Sequence, residues 1–495
     1  MNLLLLLDMA ASAGDDRIAV QFGDARLGAA DLLRLAWGGA AQVGDATAVA
    51  YVGTNGPAVP VALFAAAAAG VPYAPLNYRL GVEDLDALLH RLGTPLVVAE
   101  GEVGAELAAL GHRVVAADDF VTEADRDAAV GEVPVDADGT AVVLFTSGTT
   151  SAPKAALLRH RHLTAYVIGT VEFAAADPAD AVLVSVPPYH VAGLANLLSN
   201  LYGGRRIVYL QQFDAGRWVE TARRESVSHA MVVPTMMARI VDVLEVDGDG
   251  VPTLRALSYG GARMPATVLE RLMTALPETD LTNAYGLTET SSTIAVLGPE
   301  DHRAARAGDA VAVRRLSSAG RVLPTIEVEV RGDDGTAVGA DEVGEIWVRG
   351  DQVSGEYAGM DSPLDADGWF PTRDRGSIDA DGYLFIEGRA DDTIIRGGEN
   401  IAPAEIEDVL LRHPDVRECA VFGVPDDEWG QRIAAAVVTT DDTDVGADEL
   451  REFVRAALRG SKTPQDVFFL DSLPYTDTGK LLRRRLPDVV GSAER

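Results

Sequence analysis

The chain has 495 residues, of which 47% are hydrophobic and 24% charged, a balance typical of a folded globular protein. Its 75 acidic residues outnumber the 42 basic ones, and the resulting net charge of −33 argues against binding to nucleic acids. An anionic substrate must therefore be held by cationic and hydrogen-bonding groups placed close to it. The single cysteine, Cys419, excludes an internal disulfide.

Only three of the basic residues are lysines: Lys154, Lys462 and Lys480. A coding bias toward arginine accounts for the scarcity of lysine, but it does not account for the three positions that remain. Because lysine is a slim point charge and arginine a rigid planar fork, a site that requires the slimmer shape could resist replacement.

The first predicted element is a helix in the opening segment, MNLLLLLDMAASAGDD. Its apolar run is interrupted by Asp8 and lacks the basic flank of a signal peptide. A second apolar segment, VALFAAAAAGV, is too short to span a bilayer and predicts a buried helix. We therefore expect no membrane span and a cytoplasmic location.

Apolar runs separated by helical patterns continue through the first half of the chain. Strands that alternate with helices predict βαβ units and a parallel sheet. The predicted strands lie in ATAVAYV, TPLVVAE, AVLVSV, RRIVYL and SHAMVVP.

Near residue 320 the pattern changes to period-two alternation in TIEVEVRGDDGTAVG and GEIWVRG, which predicts antiparallel strands. A second compact unit is predicted from about residue 390, with helices in AEIEDVLLRHP and ADELREFVRAAL and strands in ECAVFGVP and IAAAVVT. The predicted fold class is α/β. A large N-terminal body of parallel sheets, helices and a small antiparallel unit occupies residues 1–390, and a small α+β C-terminal domain occupies residues 391–495.

A buried strand, AVVLF, leads directly into a loop rich in hydroxyl groups, LFTSGTTSAPK, over residues 144–154. Hydroxyls and exposed amides in a glycine-containing turn can surround phosphate oxygens, and Lys154 adds a cation. The loop lacks the second glycine of the GxxxxGK[ST] motif, which argues against a common kinase or GTPase. The candidate nucleotide-binding residues of this loop are Thr146, Ser147, Gly148, Thr149, Thr150 and Lys154.

Further motifs follow the loop: VPPYHVAGL, SYGGARMP, NAYGLTET, GWFPTRDRGSIDADGYLFIEGRADD, IIRGGENIAPAEIE and PYTDTGKLLRRRL. In this order they resemble the motifs of the acyl-adenylate-forming superfamily, in its acyl-CoA synthetase branch. The usual loop pattern there is TSGTTGxPKG, from which Ser151 and Ala155 depart. The resemblance covers nearly the whole chain. It implies a ligase that joins a carboxylic acid to AMP and then passes the acyl group to CoA, with ATP, Mg²⁺ and CoA required.

The resemblance implies a nucleotide site built from several segments. Tyr285 would pack on adenine, Thr288 would bond a phosphate and Glu289 would hold Mg²⁺. Asp374 would bind the ribose hydroxyls, with Arg373 standing where the family usually has a glycine. The remaining predicted ATP and AMP contacts are Gly260, Gly261, Ala262, Asn283, Ala284, Gly286 and Arg389.

The resemblance also implies that the C-terminal domain is mobile and turns about Asp391 between two orientations. One would present Lys480 to the substrate carboxylate and the α-phosphate. The other would place the backbone at Gly397 and Gly398 along the thiol arm of CoA. The basic residues Arg483–Arg485 are expected to form a solvated helix face. The predicted catalytic residues are Lys480, Thr288, Glu289 and His190.

The acid is expected to be apolar, with fatty, aryl and steroid-side-chain acids left open. His190, Val191 and Gly193 are predicted to line an acyl pocket in an apolar stretch of sequence, as such pockets usually are. Amino-acid-activating relatives place an aspartate where His190 stands. Malonate-type ligases carry a basic residue where Ala284 stands, which argues against a second carboxylate.

Three alternatives to a CoA ligase stay open. The first is a ligase that loads the phosphopantetheine of an acyl carrier protein, which shares the motifs. The second is an oxidoreductase of luciferase type, which would emit light in air. The third is a non-catalytic binding protein, against which the retention of Lys154, Glu289 and Lys480 argues.

Overall fold

The computed structural model describes residues 1–13, 17–124, 128–146, 153–397, 399–426, 428–440, 443, 445–458, 460–476 and 481–493. The α-helices are α1 (Leu4–Ser12), α2 (Ala29–Val43), α3 (Ala58–Ala69), α4 (Val82–His90), α5 (Val103–Ala109), α6 (Ala117–Glu123), α7 (His160–Thr170), α8 (Val191–Gly203), α9 (Ala215–Arg224), α10 (Pro234–Asp247), α11 (Ala266–Ala275), α12 (Pro299–Arg306), α13 (Ala310–Arg315), α14 (Pro403–Leu410), α15 (Ala447–Ala457) and α16 (Leu486–Ala493).

The strands are β1 (Ile18–Phe22), β2 (Ala25–Gly28), β3 (Val49–Val52), β4 (Tyr73–Leu76), β5 (Leu96–Ala99), β6 (Arg113–Ala116), β7 (Thr140–Thr146), β8 (Lys154–Arg159), β9 (Ala181–Val184), β10 (Arg206–Tyr209), β11 (His229–Val232), β12 (Ala256–Gly260), β13 (Asp280–Leu287), β14 (Ser292–Leu297), β15 (Gly320–Val322), β16 (Glu327–Arg331), β17 (Gly344–Arg349), β18 (Phe370–Ile378), β19 (Tyr383–Arg389), β20 (Ile394–Arg396), β21 (Glu399–Ile401), β22 (Val416–Asp426), β23 (Gly430–Thr439) and β24 (Asp466–Phe469). Short 3₁₀ turns lie at Thr288–Thr290, Ala390–Asp392, Gly460–Lys462 and Arg483–Arg485.

A six-stranded sheet in the order β6-β5-β3-β4-β7-β8 forms part of the N-terminal body. Strands β3 to β7 run parallel, and β8 returns antiparallel to β7. The runs ATAVAYV and TPLVVAE form β3 and β5, as the alternation of strands and helices predicted. The carboxyl ends of β3, β4 and β7 therefore lie at one edge, where the phosphate loop begins.

A second sheet has 13 strands in the order β16-β17-β18-β19-β15-β14-β13-β12-β11-β9-β10-β1-β2. From β13 to β1 its neighbouring strands are parallel. From β13 to β16 they are antiparallel, in the region where the sequence changes to period-two alternation. The expectation of a parallel α/β body with an antiparallel unit is confirmed.

The predicted buried helix is α3, in which every residue from Ala58 to Ala68 is buried. Its apolar character on all sides fits this position, because a helix without a polar face must be covered on every side. The helix ends at Gly70, whose left-handed φ of +73° glycine adopts without penalty. Among the described residues, no helix combines the length and the apolar character needed to cross a bilayer.

The C-terminal part of the chain has hydrophobic clusters of its own around a β22-β23-β24 sheet. Ile406 and Leu450 belong to one cluster, and Phe422 and Leu486 to another. Both clusters draw only on residues from 394 onward. The expected boundary between residues 390 and 391 lies one residue beyond the end of β19, inside a 3₁₀ turn, and the division into two domains stays a prediction.

One expectation about this part of the chain is wrong. Arg483 does not lie on a solvated face, because only 18% of its side chain is exposed. Its guanidinium donates to the carboxylate of Glu407 and to the carbonyl of Val421. Arg484 and Arg485 are exposed, as expected. The partner of Arg483 lies 76 residues away in the chain, so a local run of like charges gave no sign of the ion pair.

Candidate active site

The predicted phosphate loop connects the two strands of the β7–β8 hairpin. Thr146 is the last residue of β7 and Lys154 the first residue of β8, and the two face each other across the hairpin. The Thr146 hydroxyl donates to the Lys154 carbonyl at 3.5 Å. The predicted contacts at Ser147, Gly148, Thr149 and Thr150 lie outside the described residues.

Glu289 and Lys154 are both close to Tyr357. The Tyr357 hydroxyl donates to Oε1 of Glu289 at 2.6 Å, and Nζ of Lys154 lies 5.3 Å from the centre of the Tyr357 ring. Burial, and then the adjacent Glu289 carboxylate, raise the pKa of Tyr357, so its hydroxyl remains a donor. A half-buried carboxylate with one oxygen oriented by a hydroxyl is a hard oxygen ligand. It fits Mg²⁺, which takes one or two carboxylates together with substrate phosphates.

The segment that carries Tyr357 is fixed along β8. The Leu157 amide donates to the Glu356 carbonyl at 2.9 Å, and Arg159 binds the Glu356 carboxylate through two nitrogens at 2.6 and 2.8 Å. The Ser354 amide donates to the Glu289 carbonyl at 2.8 Å. Tyr357 was not among the predicted site residues, since no local pattern marks it and its partner Glu289 is distant in the chain.

A second group of contacts surrounds the carboxylate of Asp374, whose side chain is buried. The Tyr285 hydroxyl donates to its Oδ2 at 2.5 Å, and Nε of Arg389 lies 2.9 Å from its Oδ1. Asp374 and Arg389 are paired residues on β18 and β19, which fixes their side chains side by side. Burial, and then Asp374, hold the pKa of Tyr285 well above its ordinary value. A carboxylate can accept hydrogen bonds from two neighbouring ribose hydroxyls.

Arg373, which stands where the family usually has a glycine, has a φ of +65°. This left-handed conformation favours glycine, so the backbone here has the geometry that a glycine would adopt without strain. The Arg373 side chain is exposed, and its positive charge lowers the pKa of the nearby Tyr357 hydroxyl against the larger effect of burial.

The predicted adenine-binding segments lie on two neighbouring parallel strands. Gly260 is paired with Ala284, and a Cβ on Gly260 would lie 2.2 Å from the Ala284 carbonyl oxygen. A Cβ on Gly286 would lie 1.8 Å from the carbonyl oxygen of Ser292. Both glycines are therefore required by the sheet itself, which is a sufficient reason for their presence.

Other residues of these segments remain accessible. Gly261 and Ala262 are exposed in the turn after β12, and Thr288 is half-buried beside Glu289. The side-chain amide of Asn283 donates to the Ser318 carbonyl at 3.1 Å. Their contacts with a nucleotide stay predictions.

The predicted acyl-pocket residues lie at the beginning of α8. His190 is the N-cap of the helix, Val191 is half-buried, and Gly193 packs so closely that a Cβ would lie 2.8 Å from the Pro187 carbonyl oxygen. The ring of Tyr189 contacts that of Tyr78 edge-on, with 5.8 Å between centroids.

A cleft of about 270 Å³ is lined by Ser185 and Pro187, which precede this segment in the chain, whereas the predicted pocket residues His190, Val191 and Gly193 are not among its lining residues. Its walls combine apolar and aromatic side chains with amides and exposed arginines, and two residues of the C-terminal part close one side. The remaining lining residues are Asn55, Tyr78, Arg79, Gln211, Gln212, Phe213, Thr235, Met236, Arg239, Tyr475 and Thr476. Lys480, four residues beyond Thr476, lies outside the described residues.

The predicted hinge and CoA segment show specific contacts. Asp391 lies in the 3₁₀ turn after β19, and its carboxylate is 3.7 Å from the Arg484 guanidinium. Gly397 has a φ of +58° and donates its amide to the Trp429 carbonyl at 2.8 Å. Gly398 lies outside the described residues. An ion pair between Arg263 and Asp408 links the N-terminal body to α14.

Glu289, a carboxylate suited to Mg²⁺, lies beside Tyr357 and near Lys154 of the β7–β8 hairpin. Asp374, a buried acid suited to ribose, lies on β18 against Tyr285 and Arg389. This arrangement defines an enzyme that activates a substrate with ATP. The chain belongs to the AMP-binding enzyme family: the family's main model matches residues 10–358, and its C-terminal domain model matches residues 405–480. It is an AMP-forming acyl-CoA ligase that works through an adenylate and uses ATP, Mg²⁺ and CoA.

The chain is 35% identical over 451 residues to a feruloyl-CoA synthase of Amycolatopsis sp, covering 90% of this chain and 89% of that protein. It is 31% identical over 472 residues to the fatty acid–[acyl-carrier-protein] ligase ScoC of Streptomyces coeruleorubidus, covering 91% and 88%.

The fold is similar to that of the o-succinylbenzoate CoA synthetase of Bacillus subtilis. In complex with its acyl-adenylate intermediate, that enzyme matches with a TM-score of 0.84 and 29% identity, over 97% of each chain. In complex with ATP and magnesium, it matches with the same TM-score and identity, over 98% of this chain and 99% of the other.

Proposed function

We propose that the chain activates a ring-bearing carboxylic acid with a polar substituent and transfers its acyl group to free CoA. The observation that carries the substrate preference is the composition of the cleft that Ser185 and Pro187 line. Tyr78, Phe213 and Met236 offer a wall for an aromatic ring, and Gln211 and Gln212 offer amides to ring oxygens. Both glutamines are exposed, so a ring oxygen could replace water at their amides, whereas a plain alkyl chain laid against them would displace that water without replacing its hydrogen bonds, which costs free energy.

Two relatives support an aromatic acid. The feruloyl-CoA synthase and the o-succinylbenzoate CoA synthetase are both named for acids that carry a ring. Fatty and steroid-side-chain acids, which the sequence left open, are the competing outcomes.

For the first half-reaction we propose that the carboxylate attacks the α-phosphorus and pyrophosphate leaves. Lys154 and the hydroxyl loop would neutralise the β- and γ-phosphates, and Lys480 would neutralise charge between the reacting groups. When bound at Glu289, Mg²⁺ would add positive charge at the phosphates. Hydrogen-bond donors and cations that are fixed before the reaction stabilise the developing charge without further reorganisation. Holding the carboxylate in line with the α-phosphorus accelerates the reaction further.

The Asp374 network is proposed to orient the ribose. Its carboxylate already accepts from Tyr285 and pairs with Arg389, so both oxygens are held in place before ATP binds. A carboxylate held by neighbours on two strands loses little side-chain freedom when it binds the ribose hydroxyls.

For the second half-reaction the CoA thiolate attacks the acyl carbon and AMP leaves. We propose that the C-terminal domain turns about Asp391 to bring Gly397 and Gly398 to the thiol arm. The 3₁₀ turn that contains Asp391 lies between β19 of the large sheet and β20, which begins the C-terminal part.

A cytoplasmic location remains a prediction.

The acceptor is tested by comparing free CoA with a holo acyl carrier protein, since ScoC is a ligase of the second kind. Thioester formation with free CoA at a rate similar to pyrophosphate release supports the proposal. Efficient transfer to the carrier protein alone would contradict it.

The substrate class is tested by pyrophosphate release with ATP and Mg²⁺ over four matched acids: a hydroxylated aryl acid, its unsubstituted counterpart, a fatty acid and a steroid-side-chain acid. We expect the highest kcat/KM for the hydroxylated aryl acid. Gln212→Leu should reduce its advantage over the unsubstituted acid about tenfold, because one amide partner is lost. Preference for the fatty acid by both forms would overturn the proposal.

A further inference from the structure

Two of the chain's eight histidines lie together with an aspartate on the outer edge of the six-stranded sheet. Asp86 and His90 are one turn apart on α4, so both side chains lie on the same face of the helix. His112 lies just before β6, and its Nε2 is 2.6 Å from Oδ1 of Asp86. The two imidazole rings are 5.3 Å apart. None of these residues takes part in the nucleotide site.

We propose that Asp86, His90 and His112 form a binding site for a divalent transition metal of the Zn²⁺ class. One ligand atom from each residue lies within 4.8 Å of the others, and Nδ1 of His90 is 3.2 Å from Oδ1 of Asp86. Zinc bonds of about 2.0–2.1 Å in a tetrahedral arrangement place the ligand atoms about 3.3 Å apart. Small side-chain rotations therefore bring the three ligands into position.

The ligand types select the metal. Two imidazoles with one carboxylate suit zinc, cobalt, nickel or copper, whereas Mg²⁺ prefers oxygen ligands. The chain's catalytic requirement for Mg²⁺ is therefore chemically distinct from this site. With three protein ligands, a fourth position is left for water.

Binding has a modest cost here. His90 gives up a hydrogen bond between its Nδ1 and the Asp86 carbonyl, 2.8 Å apart in the structure. The His90 side chain is 68% exposed, so water can replace that bond at the carbonyl. His112 is 10% exposed and already directed at Asp86, which makes it the most fixed of the three ligands.

A bound ion would fasten the end of α4 to the loop before β6. The next residue after His90, Arg91, donates to the Pro153 carbonyl at 2.7 Å, at the border of the phosphate loop. The ion would thus restrain a helix end that is in direct contact with the β7–β8 hairpin.

The test is Zn²⁺ binding to the full chain, freed of any histidine tag and of metal, in the presence of excess Mg²⁺ and without ATP. Metal content after gel filtration and calorimetry should give about one Zn²⁺ per chain for the unmodified protein. His90→Gln and Asp86→Asn should each weaken binding at least about tenfold. Because His90 is exposed, its variant is expected to fold normally, and circular dichroism checks this.

Glu289→Gln serves as the control for binding at the proposed Mg²⁺ site and should keep the same Zn²⁺ affinity. Co²⁺ added in place of Zn²⁺ should give visible absorption bands of a tetrahedral ion that His112→Gln removes. The proposal is overturned if the unmodified chain takes up no Zn²⁺, or if the variants of the three ligands bind it as well as the unmodified chain does.

Discussion

Arg373 has a left-handed backbone conformation that an L-residue adopts only at a cost, and glycine removes this cost. The conformation disfavours a non-glycine residue by about 1–2 kcal/mol, whereas the extra freedom of glycine in the unfolded chain costs about 0.5–1 kcal/mol. We therefore expect Arg373→Gly to raise the free energy of unfolding by about 0.5–1 kcal/mol. The side chain is exposed and no described carboxylate forms an ion pair with it, so little is lost with it.

The matched control is Arg373→Ala, which removes the same charge but keeps the strained backbone. Urea unfolding at a fixed temperature should show a higher midpoint for the glycine variant than for the alanine variant, with equal slopes. Both variants should raise the KM for ATP several-fold, because each lacks a cation near Tyr357 and the proposed phosphate site. If the glycine and alanine variants unfold at the same midpoint, the backbone at residue 373 is not strained and the reasoning fails.

Four further substitutions test the proposed roles. Tyr357→Phe should raise the Mg²⁺ concentration that gives half of the maximal rate about tenfold, because the Glu289 carboxylate loses the hydrogen bond that orients it. Tyr383→Phe also removes a tyrosine–carboxylate hydrogen bond but should leave this concentration unchanged. An equal rise in both variants would argue against a role of Tyr357 in positioning Glu289. Glu289→Gln should raise the same Mg²⁺ requirement and slow adenylation, and an unchanged requirement would remove Glu289 from the metal site. Lys480→Ala should abolish pyrophosphate exchange but spare much of the thioester formation from supplied acyl-AMP; equal loss in both would count against its role. Asp391→Pro should keep adenylation and slow thioester formation by orders of magnitude, and a parallel fall in both rates of a folded variant would contradict the hinge.

The fold class could be predicted because its determinants are local. Period-two alternation and apolar runs between helices directly report which faces are buried, and the strands found in the structure follow them. The helix α3 is an example: its uniform apolar composition required burial on all sides, and every residue from Ala58 to Ala68 is buried. The left-handed φ at Arg373 was not predicted, although it agrees with the glycine that the family usually has at this position.

Other features could not be predicted because they depend on contacts between distant segments. Tyr357 has no motif of its own and is defined by its hydrogen bond to Glu289, 68 residues away. Arg483 belongs to a run of three arginines, which predicted an exposed side chain. Its ion pair with the distant Glu407 cannot be read from that run. For Gly260, the motif suggested a contact with the nucleotide. The structure gives a different reason for the glycine, because the carbonyl oxygen of the neighbouring Ala284 leaves no space for a side chain.

Because acidic residues outnumber basic ones in this chain, a lysine or arginine can bind a phosphate only where no carboxylate already neutralises it. Surface arginines readily find carboxylates in such a chain, as Arg271 does with both Asp242 and Glu245. Lys462, one of the three lysines, is likewise paired with Glu405, and this ion pair is a sufficient structural reason for its presence. Within the described residues, Lys154 has no carboxylate at ion-pair distance and instead lies over the Tyr357 ring. An aromatic face attracts a cation without neutralising it. The charge of Lys154 is therefore available to a phosphate, whereas the charge of a lysine paired with a carboxylate would already be neutralised.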